Sequence, residues 1–187
     1  MSLRLPMPDF GKEYLDERPI IVAIAGSNGA GKSTFYGAHL AETDLRFVNA
    51  DELALELKLS AYEAADLASK IRQHFVARRE SFIFETVFSD PVGEKVQFLK
   101  NTADDGYQVA LIFIEIPDVE TSTERVSMQQ AQGGHDVPES KLKDRFPRTR
   151  ANLQRAIETL PLVVIFDNSD MERPFRLKAV YREGKPQ

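Results

Sequence analysis

The chain has 187 residues, of which 42% are hydrophobic and 28% charged, a mixture typical of a globular domain. Its 24 Lys and Arg residues against 29 Asp and Glu residues give a net charge of −5, which argues against a general nucleic-acid-coating protein. The absence of cysteine excludes disulfides, thiolate metal sites and cysteine nucleophiles. No apolar run approaches the roughly 20 residues that a membrane-spanning helix needs. We therefore expect a soluble, cytoplasmic protein without a membrane or nucleic-acid partner.

No linker, repeat or low-complexity tract divides the sequence, so we expect one domain over residues 1–187. Residues 1–18 contain acidic and proline residues but no apolar stretch. We interpret them as an N-terminal extension rather than a signal peptide or an anchor. Residues 118–160 are interpreted as a helical, partly basic region that forms a lid over the functional site.

Apolar, β-branched runs that end at turn residues predict strands, and capping signals with helical periodicity predict the helices between them. The predicted strands are Pro19–Ala25, Leu45–Asn49, Ser81–Val87, Gln108–Ile116, Leu162–Phe166 and a weaker edge strand at Arg176–Arg182. The predicted helices begin at Lys32 and cover about residues 61–80, 90–106, 118–131 and 138–160. This alternation indicates an α/β fold, a three-layer sandwich with helices on both faces of a mainly parallel sheet of five or six strands.

The segment between the first strand and the first helix, Gly26 to Ser33, matches the P-loop pattern Gly-x-x-x-x-Gly-Lys-Ser. Its glycines let backbone N–H groups turn towards phosphate oxygens, and the following helix presents its positive end to the same anion. Lys32 supplies a mobile charge for the β- and γ-phosphates, and the Ser33 hydroxyl is a ligand for Mg²⁺. The predicted nucleotide-binding residues are Gly26, Ser27, Asn28, Gly29, Ala30, Gly31, Lys32, Ser33 and Thr34. We therefore predict a P-loop NTPase or kinase-like fold that binds ATP with Mg²⁺.

Asp51 follows the second predicted strand and lies 19 residues after Lys32. Ligands of parallel sheets bind at the carboxyl ends of the strands, so Asp51 is expected to face the same crevice as the P-loop. A carboxylate there is suited to accept the proton of an attacking hydroxyl group. The alternative is that Asp51 caps a helix that starts at Glu52. We favour the catalytic role.

Two strand-end carboxylates, Glu85 and Asp167, match the pattern of an acid that supports Mg²⁺, because each follows a run of apolar residues. The metal-side carboxylate of such folds normally comes from a strand beside the P-loop strand, whereas the last strand usually lies further out. We therefore favour Glu85 for binding substrate or Mg²⁺, and interpret Asp167 as part of a turn.

Residues 141–155 hold six basic residues and one acidic residue. Five positions at helical spacing place most of this charge on one face: Lys141, Arg145, Arg148, Asn152 and Arg155. This face is either an ordinary solvated surface or a cationic wall for phosphates. Arg125, on the preceding helix, is a candidate for a lid arginine above the P-loop.

Taken in order, these motifs resemble the zeta toxin family in its short bacterial form, from Ile20 to about Ser169. The residues that carry the resemblance are the P-loop with its flanks (25–35), Phe47–Asp51, Phe84–Thr86, Gly106–Tyr107, Arg125–Val126, Gly133–Pro138 and Asp167–Ser169. The P-loop alone is generic, but the ordered set, and above all the sequence GGHDVP at residues 133–138, is specific.

The resemblance implies a kinase, since zeta toxins phosphorylate a hydroxyl group of UDP-N-acetylglucosamine with ATP. It implies that Lys32 and Ser33 hold ATP and Mg²⁺, and that Asp51 is the catalytic base. Glu85 and Thr86 would line the acceptor site, Arg125 would contact the phosphates, and a protein antitoxin would be a partner. Relatives often carry a second arginine where this chain has Gln129. Three residues are candidates for that second positive charge, namely His135, Arg145 and Arg148.

The leading hypothesis is thus an ATP-dependent kinase that acts on a hydroxyl group of a small molecule, such as a nucleotide sugar. A nucleotide-dependent switch or ATPase that binds a protein partner is the alternative. It requires a water-positioning residue and a segment ordered by the γ-phosphate, and neither stands out after the P-loop. A nucleic-acid-binding ATPase fits less well, because only Phe146 interrupts the basic residues with an aromatic ring.

Overall fold

The computed structural model describes residues 16–131 and 137–187. Within them, seven strands form one sheet in the order β2-β3-β1-β4-β5-β6-β7. The strands are β1 (Ile20–Ala25), β2 (Arg46–Val48), β3 (Phe82–Thr86), β4 (Gln108–Glu115), β5 (Leu162–Asp167), β6 (Arg176–Arg182) and β7 (Lys185–Pro186). Strands β1 to β5 are parallel, whereas β6 and β7 pair antiparallel. The predicted α/β fold with a mainly parallel sheet is confirmed.

The sheet has one strand more than the sequence predicted. The additional strand, β7, comprises only Lys185–Pro186 and pairs with Tyr181 and Arg182 of β6. A strand of two residues, one of them a proline, is too short to show the alternating or apolar pattern from which strands are predicted. Proline is tolerated there because β7 is the edge of the sheet.

Helices cover both faces of the sheet in the described part of the chain. They are α1 (Lys32–His39), α2 (Ala50–Leu57), α3 (Ala61–Ala77), α4 (Glu94–Asp104), α5 (Val119–Ala131) and α6 (Glu139–Thr159). Side chains of one sheet face pack with α1 around Phe35, and those of the other face pack with α3, α4 and α6 around Phe84. Burial on both faces explains why β1 is apolar throughout and fully buried.

Helix boundaries follow local capping. Helix α3 begins with the predicted capping box, in which Ser60 and Glu63 exchange side-chain and backbone hydrogen bonds. Helix α4 begins at Glu94, four residues after the predicted start at Asp90. Gly93 adopts a left-handed conformation (φ 80°) as its N-cap, and the Asp90 carboxylate accepts a hydrogen bond from the Glu94 N–H. Asp90 therefore does act on the helix start, but from outside the helix.

Strand order places β1 between β3 and β4. The register pairs Ile24 with Glu85 and Ala25 with Thr86, so β3 ends level with the start of the P-loop. The other neighbour, β4, lies between β1 and β5, which carries Asp167. No helix among residues 16–131 and 137–187 is long and apolar enough to cross a membrane.

Candidate active site at the phosphate loop

The P-loop connects β1 to α1 and has a backbone that only glycine accommodates at two positions. A Cβ atom on Gly26 (φ 152°) would lie 2.5 Å from the carbonyl oxygen of Ile114, and one on Gly31 (φ 93°) would lie 2.6 Å from Asn168 Nδ2. Both distances are shorter than real contacts, and both φ angles disfavour side chains. The glycines of the motif are therefore required by neighbouring elements as well as by the turn itself.

Lys32 is the first residue of α1 and is only 7% exposed. Its Nζ donates a hydrogen bond to the Ser27 carbonyl (3.0 Å) and lies 3.8 Å from Glu85 Oε1. Burial lowers the pKa of Lys32, while the carboxylates of Glu85 and Asp51 act in the opposite direction. A buried ammonium group with a single distant ion-pair partner is suited to bind a further anion.

Ser33 and Glu85 meet across the end of the sheet. The Ser33 hydroxyl donates a hydrogen bond of 2.8 Å to Glu85 Oε2, and the Asn49 side chain donates to the same oxygen at 3.3 Å. A hydroxyl and a carboxylate oxygen are the donor types that Mg²⁺ prefers. The donor set therefore fits an Mg²⁺ site, with the Lys32 ammonium group 3.8 Å from the other Glu85 oxygen.

Asp51 lies in the first turn of α2, exposed, and its charge acts on Lys32. It is not the helix cap, because the Asn49 side chain performs that function by accepting a hydrogen bond from the Asp51 N–H at 2.9 Å. The capping alternative for Asp51 is therefore wrong. Burial raises the pKa of the neighbouring Glu52, and so do the negative charges of Glu85 and Asp51. This edge of the site carries an excess of carboxylates.

Arg125 lies on α5, directly above the tip of the P-loop. A Cβ atom added to Gly29 would lie 3.0 Å from the Cβ atom of Arg125. The Arg125 guanidinium group donates a hydrogen bond of 3.4 Å to the Ser169 carbonyl. The half-buried Arg125 has no carboxylate partner within ion-pair distance in the described residues. A cation in this position is free to contact a nucleotide phosphate.

The remaining predicted acceptor and phosphate residues lie on β3, on α6 or outside the described residues. Thr86 ends β3 and accepts a hydrogen bond from the Phe88 N–H at 3.1 Å. Arg145 and Arg148 are half-buried on α6, and the described residues offer neither an acidic partner within ion-pair distance. His135 lies outside the described residues.

The far end of the basic face is structural. The buried Asn152 donates hydrogen bonds of 2.9 Å to the carbonyls of Phe88 and Asp90, and Arg155 donates to Asn152 Oδ1 at 2.9 Å. Thr149 donates to the Val87 carbonyl at 3.0 Å from the same helix. These contacts fix the loop after β3, so that only the first half of the face remains available for phosphates.

Asp167 ends β5, two strands away from β1. Its carboxylate accepts a hydrogen bond from the Ser169 N–H at 2.9 Å and forms an ion pair with Arg176. A hydrogen bond from the Ser169 side chain lowers the pKa of Asp167 most, and the Ser169 N–H and Arg176 lower it further. Asp167 is thus the last residue of β5, one residue beyond the strand end predicted from the sequence, and its carboxylate is engaged by Ser169 and Arg176.

Three further residues of the site were not predicted as site residues, although Asn49 and Asn168 lie in two of the segments that carry the family resemblance. Asn49 contacts both Glu85 and the start of α2. Ser122 of α5 and Asn168, which follows β5, both donate hydrogen bonds to carbonyls of the P-loop. Ser and Asn are common in turns and on helix surfaces, so their role becomes visible only when distant segments come together.

The parallel sheet, the glycine-rich loop at the end of its central strand and the facing carboxylates define a P-loop kinase-like fold. The sequence model of the zeta toxin family matches residues 57–177, more than half of the chain. The chain belongs to the zeta toxin family. The match begins after the P-loop and Asp51, so the family assignment is independent of the generic motif.

Several known proteins are similar to the chain. An uncharacterized protein of Haemophilus influenzae is 25% identical over 126 residues, which cover 65% of this chain and 88% of that protein. A chain of the AvrRxo1-ORF1:-ORF2 complex with ATP superposes with a TM-score of 0.70 at 19% identity, over 94% of this chain and 62% of that chain. This chain thus spans about three fifths of that protein.

Two further solved structures share the fold. A putative kinase from Chloroflexus aurantiacus has a TM-score of 0.57 at 20% identity, over 84% of this chain and 92% of that chain. The PezAT chromosomal toxin-antitoxin system of Streptococcus pneumoniae has a TM-score of 0.54 at 20% identity, over 81% of this chain and 69% of that chain. At such identities the likeness concerns the fold.

Proposed function

We propose that this protein is an ATP-dependent kinase that transfers the γ-phosphoryl group of ATP to a hydroxyl group of a small molecule. The observation that carries the proposal is the meeting of Lys32, Ser33 and Glu85 at the ends of two adjacent strands. A mobile cation for phosphates, a hydroxyl ligand and a strand-end carboxylate are the parts that phosphoryl transfer uses in P-loop enzymes.

The phosphates of ATP bind in the P-loop, where they accept hydrogen bonds from its N–H groups and from Lys32. Ser33, by its hydroxyl, and Glu85, by its carboxylate, would hold Mg²⁺. When bound, Mg²⁺ neutralises charge on the β- and γ-phosphates. This would require the Ser33 hydroxyl to exchange its hydrogen bond to the Glu85 oxygen, to which Asn49 also donates.

Asp51 is the general base. It takes the proton of the acceptor hydroxyl, whose oxygen forms a bond to the γ-phosphorus as the bond from that phosphorus to the bridging oxygen breaks and ADP leaves. Two features support this role: Asp51 is exposed towards solvent and its charge reaches Lys32, which holds the phosphates. Since Asn49 caps α2, the carboxylate of Asp51 is available for chemistry.

Arg125 stabilises the negative charge that develops on the transferred phosphoryl group. Its position above the P-loop tip supports this role, because a guanidinium group there needs to exchange only a long hydrogen bond to Ser169 for a phosphate contact. Arg145, Arg148 and His135 are the candidates for a second positive charge, of which His135 lies outside the described residues.

The acceptor that we propose is a nucleotide sugar, with UDP-N-acetylglucosamine as the first choice. Membership of the zeta toxin family supports this choice. Glu85 and Thr86 line the acceptor site beside Asp51, and the half-buried Arg145 and Arg148 supply positive charge for an acceptor that is itself anionic. A protein antitoxin is the partner that the PezAT relative suggests for this chain.

The test is incubation of the protein with ATP, Mg²⁺ and a panel of UDP-sugars, nucleosides, nucleotides and simple sugars, followed by mass spectrometry. We expect UDP-N-acetylglucosamine to gain one phosphoryl group, and the product to be absent with the Asp51→Asn variant. Phosphorylation of another acceptor alone would reject the nucleotide sugar and retain the kinase. Consumption of ATP without any phosphorylated acceptor would favour a nucleotide-dependent ATPase or switch.

A further inference from the structure

We infer that Ser122 and Asn168 are positioning residues that hold the phosphate loop in its anion-binding conformation from two sides. This inference rests on the proposed function for its meaning, but the hydrogen bonds that carry it join protein atoms only. Ser122 Oγ donates a hydrogen bond of 2.7 Å to the Asn28 carbonyl, and Asn168 Nδ2 donates one of 2.8 Å to the Ala30 carbonyl. Neither residue is near the P-loop in sequence.

The direction of a carbonyl fixes the direction of the next N–H group. In a planar trans peptide, the C=O of one residue and the N–H of the following residue point in opposite directions. Because Ser122 holds the Asn28 carbonyl, the Gly29 N–H points away from Ser122. Because Asn168 holds the Ala30 carbonyl, the Gly31 N–H points away from Asn168. These N–H groups line the side of the loop where the phosphates bind in the proposed function.

The glycines make this external support necessary. Gly29 has a φ angle of 71° and Gly31 one of 93°. Glycine adopts many other backbone conformations as readily as these, so the sequence of the loop does not by itself fix its conformation. A third carbonyl, that of Ser27, is held within the motif by Lys32 and by the Ala30 N–H. The carbonyls of Asn28 and Ala30 depend on the two side chains from outside.

Both supporting side chains are buried. Ser122 is 1% exposed on α5, and Asn168 is 5% exposed, with its own N–H bonded to the Glu115 carbonyl at 2.9 Å. The two elements also meet above the loop, because Arg125 of α5 donates to the carbonyl of Ser169. Helix α5 and the segment after β5 thus contact the phosphate loop and also each other.

The test uses two variants that remove one donor each. Ser122→Ala deletes the hydroxyl, and Asn168→Asp keeps the side-chain shape but replaces the donating amide by an oxygen. Ser127→Ala is the matched control, since it deletes a hydroxyl of the same helix that only bonds to the carbonyl of Thr123. Asn101→Asp, on the exposed surface of α4, controls for the change from Asn to Asp.

The first measurement is hydrogen exchange of the nucleotide-free protein. We expect faster exchange in the peptide that covers the P-loop for Ser122→Ala and Asn168→Asp, with no change in the peptide that covers α4. The second is calorimetry with ATP and Mg²⁺. We expect the dissociation constant to rise about three- to tenfold, the size of one net hydrogen bond, and both controls to match the wild type.

In turnover, we expect KM for ATP to rise while kcat stays within about twofold, because the loop binds ground state and transition state alike. A wild type that does not bind ATP would refute the proposed function, and the exchange measurement would still decide the inference. Wild-type binding with unchanged loop exchange and unchanged affinity in both variants would overturn the inference and leave the function intact. A general loss of protection throughout the chain would also overturn it, since the role would then be structural.

Discussion

The hydroxyl of Ser33 donates a hydrogen bond of 2.8 Å to the carboxylate of Glu85, a residue 52 positions later in the chain. The contact joins the first turn of α1 to the end of β3, and it forms because β3 lies beside β1 in the sheet. The two oxygens that it brings together belong to the proposed Mg²⁺ site. The same contact explains why Glu85, rather than Asp167, is the carboxylate to test.

Lys32→Ala should weaken ATP binding by about 10- to 100-fold, because it removes a charged hydrogen-bond donor from a buried position. Calorimetry with ATP and Mg²⁺ measures the change. Lys100→Ala, which removes an exposed lysine that pairs with Asp104 on α4, is the control and should bind ATP as the wild type does. Equal affinity and equal turnover in the Lys32 variant would exclude the P-loop as the nucleotide site.

Asp51→Asn should reduce phosphoryl transfer by about 10²- to 10⁴-fold, the usual effect of losing a general base. Folding and ATP affinity should persist, because Asn49 and not Asp51 caps α2. Circular dichroism, calorimetry and product analysis by mass spectrometry check the three properties. Glu56→Gln, a change at an exposed position of the same helix, is the control and should retain full activity. Full activity of the Asp51 variant would show that this carboxylate has no role in catalysis.

Glu85→Gln should raise the Mg²⁺ concentration needed for ATP binding by about tenfold or more, as changes close to a metal commonly do. The amide keeps the size of the side chain but removes its negative charge. Titration of Mg²⁺ at fixed ATP, followed by calorimetry, measures this without turnover. Glu115→Gln is the matched control, since Glu115 ends the other strand beside β1 and pairs with Lys178. An unchanged Mg²⁺ requirement in the Glu85 variant would rule out its role in the metal site.

Arg125→Ala should lower kcat by about 10³-fold and change ATP affinity much less, because such an arginine acts on charge at the transferred phosphoryl group. Arg145→Ala and Arg148→Ala should show a smaller effect of the same kind. Steady-state kinetics against a confirmed acceptor measures all three. Arg78→Ala, at the exposed end of α3, is the control for loss of a cation. Unchanged turnover in all three variants would indicate that the basic face is an ordinary solvated surface without a role in phosphoryl transfer.

Asn152→Ala should lower the free energy of unfolding by about 2 kcal/mol or more, because it leaves the carbonyls of Phe88 and Asp90 without their donor. Denaturant unfolding measures the loss. Asn101→Ala is the control with the same change in helix propensity, on an exposed residue whose side chain accepts a hydrogen bond from the Gln97 side chain. A loss no larger than that of the control would mean that water replaces Asn152 at these carbonyls.

The sequence by itself determined the local chemistry. The apolar run from Ile20 to Ala25, the glycines that follow and Lys32 specify a buried strand, a loop and a helix start, because each depends on neighbours in the chain. The capping box of Ser60 and Glu63 predicts the start of α3 for the same reason. The order of these motifs also indicated the zeta toxin family before the fold was known.

Tertiary structure alone decided which distant residues meet. The neighbours of β1 in the sheet bring Glu85 to Ser33 and keep Asp167 two strands away, and strand order depends on packing rather than on any local pattern. Packing of α6 against the loop after β3 also gave Asn152, which belongs to the basic face, a structural role. Hydrogen bonds between segments far apart in sequence require the folded sheet to exist first, so no spacing in the chain could reveal them.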